Sequence, residues 1–381
     1  MAKLGMPTVV VKFIEAGIEA IQRSQRGIVA LILEDTKQVI DKLATKTNGH
    51  EVLPNPFLVY TVDDIPEELS DKNKDYILKA LKGYNKPPLK VVVYMMQQGG
   101  DKAGADRFQE PLKAMLTERF DYLAIPTIET AQLEYVATWV KTARENKFKK
   151  IKVVLPGSNA DYEGVINFGN TKVVTADREY KAAEYTARIA GLVAGTNMTQ
   201  SATYAPLAEV IDCDRHTQDE MDAMVNEGKF FIWYDGEKFK MSRAMNSLVT
   251  TSQEKLEGYQ TIKIVDIMDM IYDDIRKTAQ DSYIGKYTND YENKCLLISA
   301  ILGYFKQLEN ERLLQKDYST CEIDCEAVRT YQLSHGLFTK EELAKMSDDE
   351  VKKLDTKKIV FIKAKVRPLD AMEDIQLPIN I

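Results

Sequence analysis

Few side chains in this sequence are typed and spaced for chemistry. Cys321 and Cys325 form a C-x-x-x-C pair with His335 downstream, the beginning of a zinc site without its second ligand pair; two buried, reduced thiols are the reading this spacing supports. Asp212, Asp214 and His216 alternate along one stretch and offer three ligands to a metal, against the plainer reading of a solvated loop. Gln98-Gly99-Gly100-Asp101 follows an apolar run and can hold an anion weakly, but a turn needing positive φ accounts for the same glycines. Acid–base catalysis has only His50, His216 and His335 to draw on. Ser158 follows Gly157, yet no second glycine completes a nucleophile elbow. Neither a G-x-x-x-x-G-K-[ST] loop nor a G-x-G-x-x-G after a strand is present. The expectation is a protein with no catalytic residue, no cofactor and no metal site.

The elements that would position such residues read as a mixed α/β and α+β chain of several domains. Its 381 residues exceed one ordinary core, and 44% hydrophobic with 29% charged residues is ordinary for a folded protein. A net charge of -7 and short, mixed charged runs such as 147–152, read as solvated surface, argue against nucleic-acid binding. No apolar run is long enough to span a membrane and the start has no signal-peptide pattern; with so few cysteines, a reducing cytoplasm is expected. Residues 27–33 are almost continuously apolar, as in a strand buried on both faces. From 89 to 255, strands over 89–95, 121–125 and 151–155 alternate with helices over 105–116 and 128–143, the pattern of a largely parallel covered sheet. Further pieces are a strand over 57–62, a helix after Pro66, a helix over 178–195 and a strand over 229–234.

Gly191 and Gly195 lie four apart in that 178–195 helix. Glycine costs about 1 kcal/mol in a helix interior, so the pair implies another backbone approaching closely. After residue 256, Ile264, Ile267, Met268, Ile271 and Ile275 form the apolar stripe of an amphipathic helix. Asp266, Asp269, Asp273 and Asp274 on the same helix either face solvent or meet a basic partner surface. Helices over 291–314 and 339–354 follow, then strands over 359–366 and 375–381.

The two ends are alternating apolar strands: Val9, Val11 and Phe13 at the front, and Ile375, Leu377, Ile379 and Ile381 at the back. Hinge-like residues separate each from its neighbour, Arg23, Arg26 and Gly27 at one end and Pro368 and Asp370 at the other. Unblunted apolar strands are a hazard for a monomer. Either they pair within their own domain or they cross to another copy by strand addition. Pro378 removes one ladder donor from the second.

Four blocks resemble the contractile phage tail sheath proteins of the defective-prophage and phage-tail-like bacteriocin group: GMPTVVVKFIEAGIEAIQRSQRGIVALIL at the front, RIAGLVAGTNMTQSATY, IKIVDIMDMIYDDIRKTAQDSYIGKYTNDY with Tyr283, Gly285, Lys286 and Asn289, and PLDAMEDIQLPINI at the end. The resemblance implies a structural subunit of a virion tail or tail-like particle, assembled in the host cytoplasm. It implies homo-oligomeric hexameric rings stacked into a helical sheath around a tail tube protein, with baseplate and tail-terminator proteins as neighbours. It also implies arms exchanged between copies, nucleotide-free contraction, and no nucleic acid or direct membrane insertion. The implied domains are an N-terminal strand arm and hinge (1–26), a small β-rich, sandwich-like domain (27–87), a subtilisin-like α/β domain without a protease site (88–255), an α+β C-terminal domain (256–366) and a C-terminal strand arm (367–381).

Overall fold

The computed structural model describes residues 20–45, 55–99, 104–253 and 255–380. They fall into two compact units, residues 23–273 with 368–380, and residues 20–22 with 274–367.

The larger unit is built on a seven-stranded sheet in the order β10-β6-β5-β4-β1-β3-β2. Its strands are β1 (Ile28–Asp35), β2 (Phe57–Val59), β3 (Lys90–Gln97), β4 (Tyr122–Ala124), β5 (Lys152–Pro156), β6 (Val165–Phe168) and β10 (Lys229–Phe230). Every adjacent pair from β10 to β3 is parallel, and β2 closes one edge antiparallel to β3. β1 lies between β3 and β4 and its first six residues are fully buried. That is why its sequence is apolar on both faces, and each such aliphatic side chain contributes about 1.5–3 kcal/mol by leaving water. Val29, Leu31 and Leu33 pack on one face with α2 (Asp71–Leu81) and α5 (Ala182–Ala194), while Ile28, Ala30 and Ile32 pack on the other with α3 (Gln109–Met115) and α4 (Leu133–Asn146). A helix α1 (Lys37–Thr45) follows β1, β7 (Lys172–Thr175), β8 (Glu179–Lys181) and β9 (Val210–Cys213) form a second sheet, and α6 (Gln218–Asn226) precedes a hairpin of β11 (Ile232–Tyr234) and β12 (Phe239–Met241).

The smaller unit holds α8 (Tyr291–Asn310), α9 (Cys325–Ser334), the short α10 (Lys340–Lys345) and α11 (Asp348–Val351), and a two-stranded antiparallel sheet of β13 (Thr320–Ile323) and β14 (Ile362–Lys365). Ile323, Val328 and Val351 make a small core with Tyr291, Ile298 and Phe361 against it. The helix α7 (Ile262–Thr278) contains the division between the units, which falls after Asp273.

Several expectations are corrected. Residues 27–87 are not a separate β-rich domain, because β1 and β2 are strands of the main sheet; a doubly apolar strand can be satisfied only inside a covered sheet. The boundary expected at 255/256 falls inside α7 instead. The run 229–234 is two strands, since β10 pairs with β6 whereas β11 pairs with β12. The helix expected from 178 begins as the strand β8, and that expected over 339–354 is broken where the Ser347 side chain accepts from Glu350 N and starts α11. After Pro66 the chain does not enter a helix until Asp71. Residues 375–380 form no strand with the described residues of their own chain. Val9, Val11, Phe13 and Ile381 lie outside the described residues.

Candidate assembly interface

The side chains that offered chemistry are separated or occupied. Cys321 is buried in β13 and Cys325 opens α9; burial pushes the Cys321 thiol up to about 11 and raises that of Cys325. His335 Nδ1 sits 2.9 Å from the Tyr331 carbonyl, with its ring stacked on Tyr331. Asp214 accepts from the Thr171 amide and hydroxyl at 2.5 and 2.8 Å, and Asp212 pairs with Arg215 at 3.1 Å. Among the described residues no group of His, Cys, Asp and Glu is arranged to hold a metal ion.

A parallel sheet of this kind carries its ligand crevice at the carboxyl ends of the strands, where the strand order reverses. Here that place lies between β1 and β4, beside Glu34, Asp35, Gln98 and Thr127. Burial raises the Asp35 carboxyl, but the amides of Ser70 (3.0 Å) and Thr36 (2.8 Å) and the Asn73 side chain (2.9 Å) outweigh it and hold the group below its ordinary range. Glu34 accepts from Thr127 Oγ1 at 2.6 Å and pairs with Arg107. Both carboxylates are therefore committed to fastening loops. The glycine turn after β3 has Gly99 at φ +69°, a conformation that favours glycine.

The opposite, amino-terminal edge of the sheet carries a buried cluster of charges. The acidic face of α7 lies across the starts of β1, β4 and β5. Asp269 is bidentate to Arg144 at 2.9 and 2.9 Å and accepts from Lys152 Nζ at 2.8 Å. Asp266 meets Lys152 at 2.9 Å and the Tyr122 hydroxyl at 2.6 Å. Asp273 pairs with Arg26 at 2.8 Å, and Arg26 also reaches Asp121 at 2.9 Å, whose second oxygen accepts from Ile28 N. Burial pushes the Asp269 carboxyl up, yet Lys152 and Arg144 overcome it and hold it far below the carboxylate range. For Asp273 burial wins over Arg26 and the group is raised. Of the two readings of this acidic face, the basic surface it meets is the chain's own sheet. Lys152, read as solvated surface, is 1% exposed. The signal missed was a lone charge opening the otherwise apolar strand Lys152–Pro156: a buried lysine requires a paired carboxylate.

Gly191 of α5 and Gly195, just past its last residue, sit against α2 and the turn after it. A Cβ at Gly191 would lie 2.0 Å from the Ala80 carbonyl oxygen, and one at Gly195 2.2 Å from that of Lys86. Gly27 has φ +81°, and a Cβ there would meet the Ala194 oxygen at 2.7 Å. With Arg26 ion-paired beside it, this part of the expected hinge is fastened to the sheet. Arg23 and Pro368 stand where the chain enters the larger unit, after Gln22 and after Arg367.

From Pro368 the chain runs along the larger unit, held at its base. Thr261 Oγ1 donates to Asp370 at 3.3 Å. Glu373 accepts from Ser201 Oγ and Thr203 Oγ1 at 3.1 and 2.5 Å, and Arg243 reaches Glu373 and Asp374 at 3.4 and 2.5 Å. Beyond this clamp, Ile375, Leu377 and Ile379 are 83%, 75% and 74% exposed. In the smaller unit β13 and β14 pair only with each other among the described residues. Residues 363–365 of β14 are exposed, although a two-stranded sheet is marginal by itself. Among the described residues, then, an exposed apolar segment has no strand partner and the β13–β14 sheet has no third strand.

Comparison with known proteins places these features in a family. The model of the phage tail sheath protein central domain matches residues 101–247, and that of the phage tail sheath C-terminal domain matches residues 254–381. The tail sheath protein of Clostridium phage phiCD119 is 33% identical over 382 residues, covering 99% of each chain. Among solved structures, the sheath tail protein of Desulfitobacterium hafniense superposes with a TM-score of 0.68 at 19% identity, over 83% of this chain and 94% of that one. The helical sheath of the anti-feeding prophage in its contracted state gives 0.68 at 13% identity, over 99% of both. These two show the fold, and the end-to-end relative shows the kinship. The chain belongs to the phage tail sheath protein family and is a structural protein, not an enzyme.

Proposed function

We propose that this chain is the repeating subunit of a contractile sheath, polymerising as stacked hexameric rings around a tail tube between a baseplate and a tail terminator. On this reading the particle assembles in the bacterial host, and the sheath contracts without nucleotide to drive the tube through an envelope. The observation that carries it is the exposed, alternating Ile375, Leu377 and Ile379 beyond a fixed clamp, together with the under-stranded β13–β14 sheet. A strand donated from one copy to the next is a heterologous contact, and repeated heterologous contacts build helical filaments. The front of the chain is the second arm, through Val9, Val11 and Phe13, on its sequence pattern. The seven-stranded unit corresponds to the subtilisin-like α/β domain that the resemblance implies, with its crevice acids turned to structural use.

During contraction the subunits shift as near-rigid bodies while arm pairing persists, and the hinges at Arg23 and at Pro368 and Asp370 absorb the dihedral change. Negative-stain electron microscopy of the purified full chain tests the proposal. Hollow cylinders are expected, and persistent monomers at high concentration would contradict it.

A further inference from the structure

The stretch that precedes the exposed C-terminal residues is fastened to the larger unit through its carboxylates. Glu373, 14% exposed, accepts from Ser201 Oγ at 3.1 Å and Thr203 Oγ1 at 2.5 Å, and pairs with Arg243 at 3.4 Å. Thr203 Oγ1 accepts in turn from Ala244 N at 2.9 Å. One chain stretch after α5 and another after β12 thus converge on a single carboxylate. Asp374 pairs with the same Arg243 at 2.5 Å. Lys263, 6% exposed, adds a positive charge that acts on Glu373. Met372, the large apolar residue of the stretch, is 95% exposed. The outer contact, Asp370 with Thr261 Oγ1, is long at 3.3 Å.

A fastening of this kind is directional and buries little apolar surface. Hydrogen bonds to a charged group are the stronger ones, and several partners from two chain stretches fix a carboxylate more closely than one exposed ion pair does. Its effect depends on where the previous fixed point lies. Arg367 O accepts from Gln315 N at 2.8 Å within the smaller unit. With Glu373 and Asp374 unheld, the free end would be the 14 residues from Pro368 to Ile381, able to span about 50 Å when extended. With them held, it is the seven residues 375–381, which span about 25 Å.

We propose that Glu373 and Asp374 are a latch that roots the C-terminal arm on its own larger unit, leaving only residues 375–381 free to reach another copy. The latch works by position. It shortens the tether, which raises the effective concentration of the arm at an adjacent copy. It also withholds the arm from any copy more than about 25 Å from the latch. The inference rests on the sheath reading above and concerns the root of the arm, whatever surface the arm then meets.

A linker placed on either side of the latch reads it in the full chain. Gly-Ser linkers of about 14 residues are inserted singly after Pro368 or after Asp374, and the critical concentration for polymer formation is measured by sedimentation. After Asp374 the linker triples the free segment and should raise the critical concentration about fivefold or more, by the scaling of loop closure with length. After Pro368 it lies behind the latch and should change the value by less than about twofold. Glu373→Ala combined with Asp374→Ala opens the latch. That variant should itself need about threefold more protein, and in it the two linkers should act alike. Both substitutions lie on the strap and not in the body, so the melting temperature of the unassembled subunit should stay at the wild-type value. Equal effects of the two linkers in the otherwise wild-type chain would overturn the latch and leave the sheath reading standing. A wild-type chain that forms no polymer would overturn both.

Discussion

Asp269 has both carboxylate oxygens occupied by cations that are themselves buried, Arg144 and Lys152 at 4% and 1% exposure. Removing one charge from such a group leaves the others without compensation, which costs about 3–5 kcal/mol. Asp269→Asn should therefore lower the unfolding free energy of the larger unit by that amount in urea titration, and a loss under about 1 kcal/mol would mean that the cluster is solvated. A second carboxylate gives a pH dependence. Burial raises Glu209, but Arg188 (2.6 Å) and Lys82 (3.1 Å) overcome it and bring its value from 4.5 to about 2. The unfolded chain then takes up this proton first, so the stabilisation is complete above pH 4.5 and is lost as pH falls toward 2. The stability advantage of wild type over Glu209→Gln should be larger at about pH 6 than at about pH 3. An advantage that does not change with pH would contradict the assignment.

At the scale of elements, what was legible in the sequence was what burial alone dictates. The strands β1, β3 and β5 announce themselves as apolar runs closed by polar, proline or glycine residues, and the stripe of α7 by its 3.6-residue period. Short strands such as β8, β9 and β12 carry three or four residues each, too few for a period to show against turn-rich surroundings. The membership of β1 and β2 in the main sheet was not legible either, because parallel partners are chosen by packing rather than by adjacency in sequence. The candidate interface divided in the same way. Alternation marked residues 375–381 as strand-forming, yet a strand is realised only with a partner, and within the single chain the described part has none. The acidic face of α7 was visible, but its destination depended on Lys152 and Arg144, which lie more than a hundred residues earlier in the chain. Only the tertiary fold brings these charges together.

For the whole molecule, the feature that matters is that the chain crosses between its two units at 22/23, at 273/274 and at 367/368. The first and last crossings are single stretches of backbone beside the segments proposed as arms, and the middle one runs through α7. A polymer that shortens without losing its connections needs this combination, with fastened bodies, arms that outlast the movement, and backbone joints where the two meet. Arg243, Ser201 and Thr203 hold Glu373 and Asp374, and beyond them Ile375, Leu377 and Ile379 are exposed. The most direct test of this account is deletion of residues 375–381 followed by sedimentation and electron microscopy. The truncated chain should melt at the wild-type temperature and remain unassembled at concentrations where the full chain forms cylinders; cylinders of normal length from the truncated chain would contradict the account.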